Sequence, residues 1–207
     1  MEKGKRLSPE TSRLKNNSKS HNMIAKFIPQ SWKKQWCKRM DFLYNYKPMR
    51  IKEVTPEDWN VRKLVWAFKD GKASEWCAEV VAMRLMKVYG QRVKQLVFAC
   101  IPASSACKNE LRYKQFAQKV CELTGCINAY EAIKVSGQRL AIHEAREGKQ
   151  LRNTQVINFD KSFFAGKEVV VFDDVITQGR SYARFACAIE ALGASVVGGL
   201  FLGRTIY

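Results

Sequence analysis

The stretch that decides the fold runs Val169-Val170-Val171-Phe172-Asp173-Asp174-Val175-Ile176-Thr177-Gln178-Gly179-Arg180-Ser181. Its first four residues are apolar, which predicts a strand buried on both faces, as in a parallel sheet covered by helices. Two acids, two more apolar residues, a polar turn with one glycine and an amphipathic segment then follow. This order of strand, turn and helix predicts an α/β fold that binds its ligand beyond the carboxyl end of the strand.

The turn has the composition of an anion-binding loop. Gly179 permits backbone conformations that other residues resist, and successive N–H groups in such a turn point inward at an anion. The helix that begins there adds its positive end. Thr177 and Ser181 supply hydroxyls, and Gln178 and Arg180 supply backbone donors. The Arg180 side chain either contacts the anion or points to solvent. The turn is therefore predicted to bind a phosphate.

Asp173 and Asp174 indicate what carries that phosphate. Successive side chains of an extended segment diverge, so the two carboxylates reach different partners. Carboxylates beside a phosphate repel it unless the ligand also offers them donors, and the vicinal hydroxyls of a sugar are such donors. A ribose 5-phosphate unit fits this arrangement, with its phosphate in the turn and its 2- and 3-hydroxyls on the acids.

The composition limits the class of protein. The chain has 207 residues, 46% of them hydrophobic, which suits one domain with its own core. No apolar run approaches the length of a membrane span, and the basic N-terminus lacks the apolar core of a secretory signal. Seven scattered cysteines without a C-x-x-C pair support neither a redox motif nor a zinc ribbon. We expect a reduced, cytoplasmic protein with no membrane partner.

The charge indicates an anionic partner. Thirty-six basic residues against 19 acidic ones give a net charge of +17. Residues 1–50 hold 13 of the basic and 3 of the acidic residues. This excess favours nucleic acid, an acidic protein or a phosphorylated substrate. Residues 32–46 interleave aromatic rings with basic side chains, either to bind single-stranded nucleic acid or to pack a small helical subdomain.

The pattern divides the chain into three parts. We expect residues 1–22 to form a basic, disordered tail, residues 23–92 a small, mainly helical N-terminal hood, and residues 93–207 the α/β core. In the hood we expect weak helix over residues 32–46 and two helices between residues 55 and 90.

The core is predicted to alternate strands with helices. Besides the strand in the opening stretch, apolar runs predict strands at 94–101, 126–133 and 195–202 and helices at 110–124 and 180–192. A loop is expected at 103–109, after Pro102. Residues 134–167 are long, charged and weakly periodic, which makes them a candidate lid.

The opening stretch resembles the phosphoribosyl pyrophosphate (PRPP) signature of the type I phosphoribosyltransferases. Gln178 and Arg180 depart from the small residues that are common at their positions. The resemblance implies a Rossmann-like type I phosphoribosyltransferase core. It also implies transfer of ribose 5-phosphate from PRPP to a nitrogenous acceptor base, with release of pyrophosphate.

More of the chain, over residues 64–204, is similar to the competence protein ComF family. The matching positions are Leu64–Lys72, Arg112–Gln115, Gln138, Ala145, Arg146 and Asn153. The four-cysteine zinc ribbon at the N-terminus of many ComF proteins is absent, since only Cys37 precedes residue 64. Two alternatives to an active enzyme stay open. One is a ComF-like factor in DNA uptake or regulation that binds PRPP or a nucleotide without turnover. The other is a nucleic-acid-binding protein with a vestigial pocket.

The phosphoribosyltransferase resemblance implies roles for individual residues. Asp173 and Asp174 are the catalytic acids, which hold the ribose hydroxyls and, through water, Mg²⁺. The metal itself binds through substrate oxygens and not in a dedicated protein cage. The 5-phosphate residues are Thr177, Gln178, Gly179, Arg180 and Ser181, and the pyrophosphate residues are Ala103, Ser104, Ser105, Arg112 and Lys114.

Three further expectations concern specificity and assembly. In the 6-oxopurine branch an Asp base occupies the position of Thr177, so hypoxanthine and guanine are disfavoured acceptors. Arg139 and Arg146 are second-rank candidates to close over pyrophosphate, and His143 is expected at the surface. The acceptor base and the oligomeric state, with a homodimer as one option, stay open.

Overall fold

The computed structural model describes residues 28–137 and 154–207. The predicted tail lies outside these residues, as do Gln138, Arg139, His143, Ala145, Arg146, Asn153 and the middle of the predicted lid. The described helices are α1 (Gln30–Trp36), α2 (Pro56–Lys69), α3 (Ser74–Tyr89), α4 (Ala106–Asn109), α5 (Gln115–Thr124), α6 (Lys161–Phe164) and α7 (Arg180–Glu190). The described strands are β1 (Arg39–Tyr46), β2 (Val97–Cys100), β3 (Ile127–Asn128), β4 (Ile133–Ser136), β5 (Val156–Phe159), β6 (Glu168–Ile176) and β7 (Ser195–Thr205).

Five strands form one parallel sheet in the order β1-β7-β6-β2-β3. The other two, β4 and β5, form an antiparallel pair. The predicted α/β class with a parallel sheet is therefore confirmed. No helix in the described ranges is both long enough and apolar enough to cross a membrane.

The central strand β6 sends alternate side chains into two cores, because successive residues of a strand point to opposite faces. Val170 and Phe172 pack in a cluster with apolar residues of α2, α3 and α5. Val169 and Val171 pack in a second cluster with residues of α7 and with Phe164 of α6. These four β6 side chains are at most 1% exposed. Helices thus cover both faces, which explains the unbroken apolar run in the sequence.

Strand β1 corrects the expectation of weak helix over residues 32–46. Only the start of that stretch belongs to a helix, α1, whereas Arg39–Tyr46 pairs in parallel with β7. The glycines of β7 permit the close approach. A Cβ at Gly198 would lie 2.7 Å from the backbone oxygen of Arg39, and one at Gly203 would lie 3.1 Å from the Cβ of Tyr46. The region 23–92 therefore contributes an edge strand to the core sheet in addition to α1, α2 and α3.

The helix expected at 110–124 begins earlier, at α4. The Ser105 side chain caps it by accepting a hydrogen bond from the Lys108 N–H at 3.3 Å. The loop predicted at 103–109 is correspondingly shorter. A single π-helical turn, Glu110–Lys114, then joins α4 to α5, which ends at Gly125 with a left-handed φ of 75°.

Two predicted core strands are also shorter than expected. A 3₁₀ helix, Gly90–Gln95, precedes β2, so the strand begins at Val97 and not at Lys94. The strand expected at 126–133 is interrupted: β3 has only two residues, because the chain turns after Asn128, whose side-chain oxygen accepts the Tyr130 N–H at 2.9 Å, and Ile133 already belongs to β4.

Candidate functional site

The topology creates a crevice between β2 and β6. From β2 the chain passes through α5, on one face of the sheet, to β3, whereas from β6 it passes through α7, on the other face, to β7. The two connections leave in opposite directions, and such a switch point is where open α/β sheets bind ligands. Residues 101–104 and 173–175 meet there, at the carboxyl ends of the two strands.

A cavity of about 310 Å³ occupies this crevice. We call it the carboxylate cavity, and it is lined by Lys69, Ile101, Pro102, Ala103, Ser104, Arg112, Tyr113, Asp173, Asp174, Val175 and Ser181. It brings together both predicted acids, two predicted pyrophosphate residues of the loop after β2, the predicted Arg112 and the first turn of α7.

Both carboxyl oxygens of Asp174 have partners within the protein. Its Oδ2 accepts a hydrogen bond from Arg112 Nη1 at 2.8 Å and lies 3.8 Å from Lys69 Nζ. Its Oδ1 accepts the Val175 N–H at 2.7 Å. Asp174 is only 7% exposed. A carboxylate this buried needs such partners, because an unpaired buried charge is strongly destabilising.

Asp173 has a different environment. Its Oδ1 accepts the Asp174 N–H at 2.9 Å and the Tyr113 hydroxyl at 3.4 Å, and no cation pairs with it in the described part of the chain. Burial, and then the charge of Asp174, raise the pKa of Asp173 to about 8. At neutral pH this carboxyl is mostly protonated, so it offers one donor and one acceptor, whereas Asp174 accepts hydrogen bonds from Arg112 and from the Val175 N–H.

Arg112 reaches the cavity from the π-helical turn. Turns of this kind are frequent at functional sites, since the extra residue re-aims the side chains that follow it. The guanidinium lies 5.6 Å from the centre of the Tyr113 ring, and its Nε approaches the backbone oxygen of Lys69 at 3.5 Å. The turn and the end of α2 together deliver two cations to the buried acid.

The loop between β6 and α7, residues 177–179, places all five predicted 5-phosphate residues around a cavity of about 290 Å³. Asp173 and Ser181 line both this loop cavity and the carboxylate cavity. Gly179 has a left-handed φ of 66°, and its backbone oxygen accepts the Trp36 Nε1–H at 3.1 Å. The Thr177 hydroxyl bonds to the Thr205 hydroxyl at 2.7 Å, which ties the loop to the end of β7.

The predicted pyrophosphate residues do not all meet. Ala103 and Ser104 line the carboxylate cavity with Arg112, but the Ala103 N–H donates to Asn109 Oδ1 at 3.0 Å. Ser105 caps α4. Lys114 pairs with Glu110 at 2.8 Å on an exposed surface and does not line the cavity.

Two lining residues, Lys69 and Tyr113, were not among the predicted site residues. Both stand in stretches, Leu64–Lys72 and Arg112–Gln115, on which the proposed resemblance to ComF proteins rests, so a signal was present. What the pattern did not reveal was that the end of α2 and the π-helical turn converge on Asp174.

The described residues contain no group of three or more side chains that would hold a metal directly. Carboxylate oxygens are nevertheless ligands that Mg²⁺ accepts, often through water and substrate oxygens. Asp174 at the cavity wall fits that mode of binding, and Asp173 fits it once it has released its proton.

No protein-family model matches the chain, and no curated protein matches it either. Among solved structures the chain is similar to a purine phosphoribosyltransferase from Pyrococcus horikoshii Ot3. The two are 13% identical with a TM-score of 0.29, over 81% of this chain and 91% of the other. A structural similarity this weak supports no conclusion about function. The evidence for function is the set of residues that line the cavities.

Proposed function

We propose that the protein binds PRPP in the carboxylate cavity and transfers ribose 5-phosphate to a nitrogenous acceptor, with release of pyrophosphate. The observation that carries this proposal is that a cavity lined by a carboxyl pair and two cations shares Asp173 and Ser181 with a second cavity at the glycine-containing loop that begins α7. A sugar that bears a phosphate at one end and a pyrophosphate at the other presents complementary groups to all three.

The carboxyl pair would hold the ribose. Asp174, fixed by Arg112, accepts a hydrogen bond from one hydroxyl. Asp173 accepts from or donates to the other, because its raised pKa leaves a proton on it near neutral pH. Two unlike partners for two neighbouring hydroxyls fix the orientation of the ring, and orientation is one source of catalytic rate.

The β6–α7 loop would hold the 5-phosphate. Backbone N–H groups at the start of α7, an 11-residue helix, carry partial positive charge toward the loop cavity. The hydroxyls of Thr177 and Ser181 add donors. Arg180 is exposed, so its side chain either contacts the phosphate or points to solvent.

Arg112 and Lys69 would receive the pyrophosphate, together with the loop at Ala103 and Ser104. In the transfer the bond from ribose C1 to pyrophosphate breaks, and pyrophosphate leaves with the electron pair. The acceptor nitrogen forms the new bond to C1 and loses its proton. Negative charge grows on the departing oxygen, where the two cations stabilise it. Mg²⁺, carried in on PRPP and contacted by the acids through water, would neutralise part of the same charge.

The test is pyrophosphate release from PRPP and Mg²⁺ in the presence of single nitrogenous bases, offered one at a time. We expect at least one base to stimulate release in the wild type. Asp174→Asn should lower that rate by about 100-fold or more, and Lys114→Gln, on the exposed pair, should leave it within twofold. Wild-type protein that binds PRPP but releases no pyrophosphate with any base would contradict the transfer step.

One observation favours a second candidate, a ComF-like factor that binds PRPP or a nucleotide without turnover. Arg112 is engaged with Asp174, and the Ala103 N–H is engaged with Asn109. Donors already bonded within the protein are weaker stabilisers of a leaving group. Tight PRPP binding with no release would support this candidate.

A further inference from the structure

A third cavity, of about 400 Å³, is lined in part by the β6–α7 loop. We call it the aromatic cavity, and it is lined by Trp36, Lys38, Met40, Phe42, Ile176, Thr177, Gln178, Gly179, Phe201 and Arg204. None of these residues lines the carboxylate cavity. Its volume is in the range of small-molecule binding sites.

The lining of the aromatic cavity combines apolar rings with positive charge. Three rings, those of Trp36, Phe42 and Phe201, supply apolar faces, and Lys38 and Arg204 supply positive charge, whereas no acidic residue lines it. Lys38 pairs with Glu190 of α7. In the described ranges Arg204 has no ion pair, and its guanidinium lies 5.4 Å from the centre of the Phe42 ring. A planar ring with an attached anion satisfies both parts of this lining.

The walls of the cavity hold its rings in place. Trp36 lies edge-on to Trp32, with ring centres 6.5 Å apart, and the Arg184 guanidinium lies 5.9 Å from the centre of the Trp32 ring. Strand β1 presents Met40 and Phe42 on the same side of the sheet. Part of the aromatic and basic stretch at 32–46 thus packs within the protein, and another part lines the aromatic cavity.

The aromatic cavity also touches the β6–α7 loop. Thr177, Gln178 and Gly179 line it on one side and the loop cavity on the other. The indole N–H of Trp36 donates to the Gly179 oxygen at 3.1 Å. A ligand that moves the Trp36 ring therefore acts on the backbone next to the proposed phosphate site.

We propose that the aromatic cavity binds a nucleotide unit, with its base against Trp36 and Phe42 and its phosphate toward Arg204. Occupancy of the cavity alters phosphate binding in the loop through the Trp36–Gly179 hydrogen bond. The first statement is independent of the proposed function, whereas the second depends on it. A free mononucleotide and the end of a single strand offer the same chemistry, so both are probes.

The experiment titrates adenosine 5′-monophosphate into the full-length protein, followed by calorimetry and by the indole N–H resonances of the ¹⁵N-labelled chain. The Trp36→Phe variant assigns the Trp36 resonance. We expect saturable binding that shifts this resonance. Arg204→Gln should weaken the binding by about tenfold. The matched control is Arg92→Gln, whose side chain is exposed and pairs with Glu168, and it should leave the affinity within twofold.

A short single-stranded oligodeoxyadenylate is the second probe. Tighter binding than the mononucleotide, with a steep fall in added salt, identifies a strand as the source of the nucleotide. Equal or weaker binding identifies a free nucleotide. Either outcome supports the site when Arg204→Gln weakens binding.

Two results would overturn the proposal. One is no saturable binding of either probe at millimolar concentration. The other is binding that Arg204→Gln leaves unchanged and Asp173→Asn/Asp174→Asn removes, since the nucleotide then lies in the carboxylate cavity.

The coupling is tested separately by PRPP affinity with and without the mononucleotide, in wild type and Trp36→Phe. A coupling constant that Trp36→Phe does not change contradicts the Trp36–Gly179 route, and failure of PRPP to bind at all contradicts the proposed function without affecting the nucleotide site.

Discussion

The carboxylate and aromatic cavities both contact the end of β6 and differ in almost every respect. Opposed charges fixed by short hydrogen bonds line the first. Rings line the second, together with a guanidinium that has no ion pair within residues 28–137 and 154–207. Strand alternation separates them, because Val175 lines the carboxylate cavity and its neighbour Ile176 the aromatic one. The end of a single strand thereby lines two kinds of cavity, and the loop that follows, residues 177–179, lines the aromatic cavity and the loop cavity.

The largest effect should come from the charges that define the carboxylate cavity. Arg112→Gln removes the cation closest to Asp174 and one proposed pyrophosphate contact, so PRPP affinity should fall by about 100-fold. The matched variant is Lys114→Gln, two positions away on the same helical turn but on an exposed pair, and its affinity should stay within twofold. Titration calorimetry measures both. Equal losses of PRPP affinity in the two variants would mean that a cation contributes to PRPP binding whether or not it lines the cavity.

The loop between the aromatic cavity and the loop cavity is tested by Gly179→Ala. A methyl group there meets a left-handed φ and lies 2.8 Å from Trp36 Nε1, so the free energy of unfolding should fall by about 2–3 kcal/mol. Gly166→Ala is the control, with a φ of 71° and open space around its added Cβ, and it should cost about 1 kcal/mol. Urea denaturation compares the two. If they cost the same, the Trp36 contact does not constrain the loop.

A smaller effect separates the two acids within the carboxylate cavity. The folded protein keeps the Asp173 proton up to about pH 8, whereas the unfolded chain releases it near its ordinary pKa of 3.8. The folded state therefore binds more protons in this window, and stability falls as pH rises through it. Asp173→Asn removes that dependence, so its stability relative to wild type should increase between pH 5 and pH 8 by about 2 kcal/mol, after allowance for solvent screening.

Denaturation at each pH is the measurement, with Asp160→Asn as the control. The Asp160 side chain caps the exposed start of α6, and its hydrogen bond to Ser162 lowers its pKa, so its effect develops below that window. A difference between wild type and Asp173→Asn that does not change with pH would contradict the environment assigned to Asp173.

Much of the carboxylate cavity could be predicted from the sequence, because strand, acids, loop and helix follow one another within 13 residues. Hydrophobic patterning and the Thr55-Pro56 helix start also revealed α2 and α3, since both signals are local. Thr55 does accept the Asp58 N–H in a capping box.

The aromatic cavity could not be predicted in the same way. It depends on β1, whose pairing partner β7 lies about 160 residues away. It also depends on glycines of β7, and the local sequence around them does not indicate which strand pairs with β7. The pairing of Arg112 and Lys69 with Asp174 was missed for a related reason. Three separate elements contribute to it, and only the packing of α2 against β6 and the π-helical turn bring them together.

The most direct test of the central claim is calorimetric titration of PRPP into the full chain with and without Mg²⁺, repeated on Asp173→Asn/Asp174→Asn. The account predicts saturable, Mg²⁺-dependent binding to the wild type that the double variant loses. Circular dichroism of the variant confirms that it is folded. No binding at millimolar PRPP in the presence of Mg²⁺, or equal binding by the double variant, would contradict a ribose-phosphate site at the carboxyl end of β6.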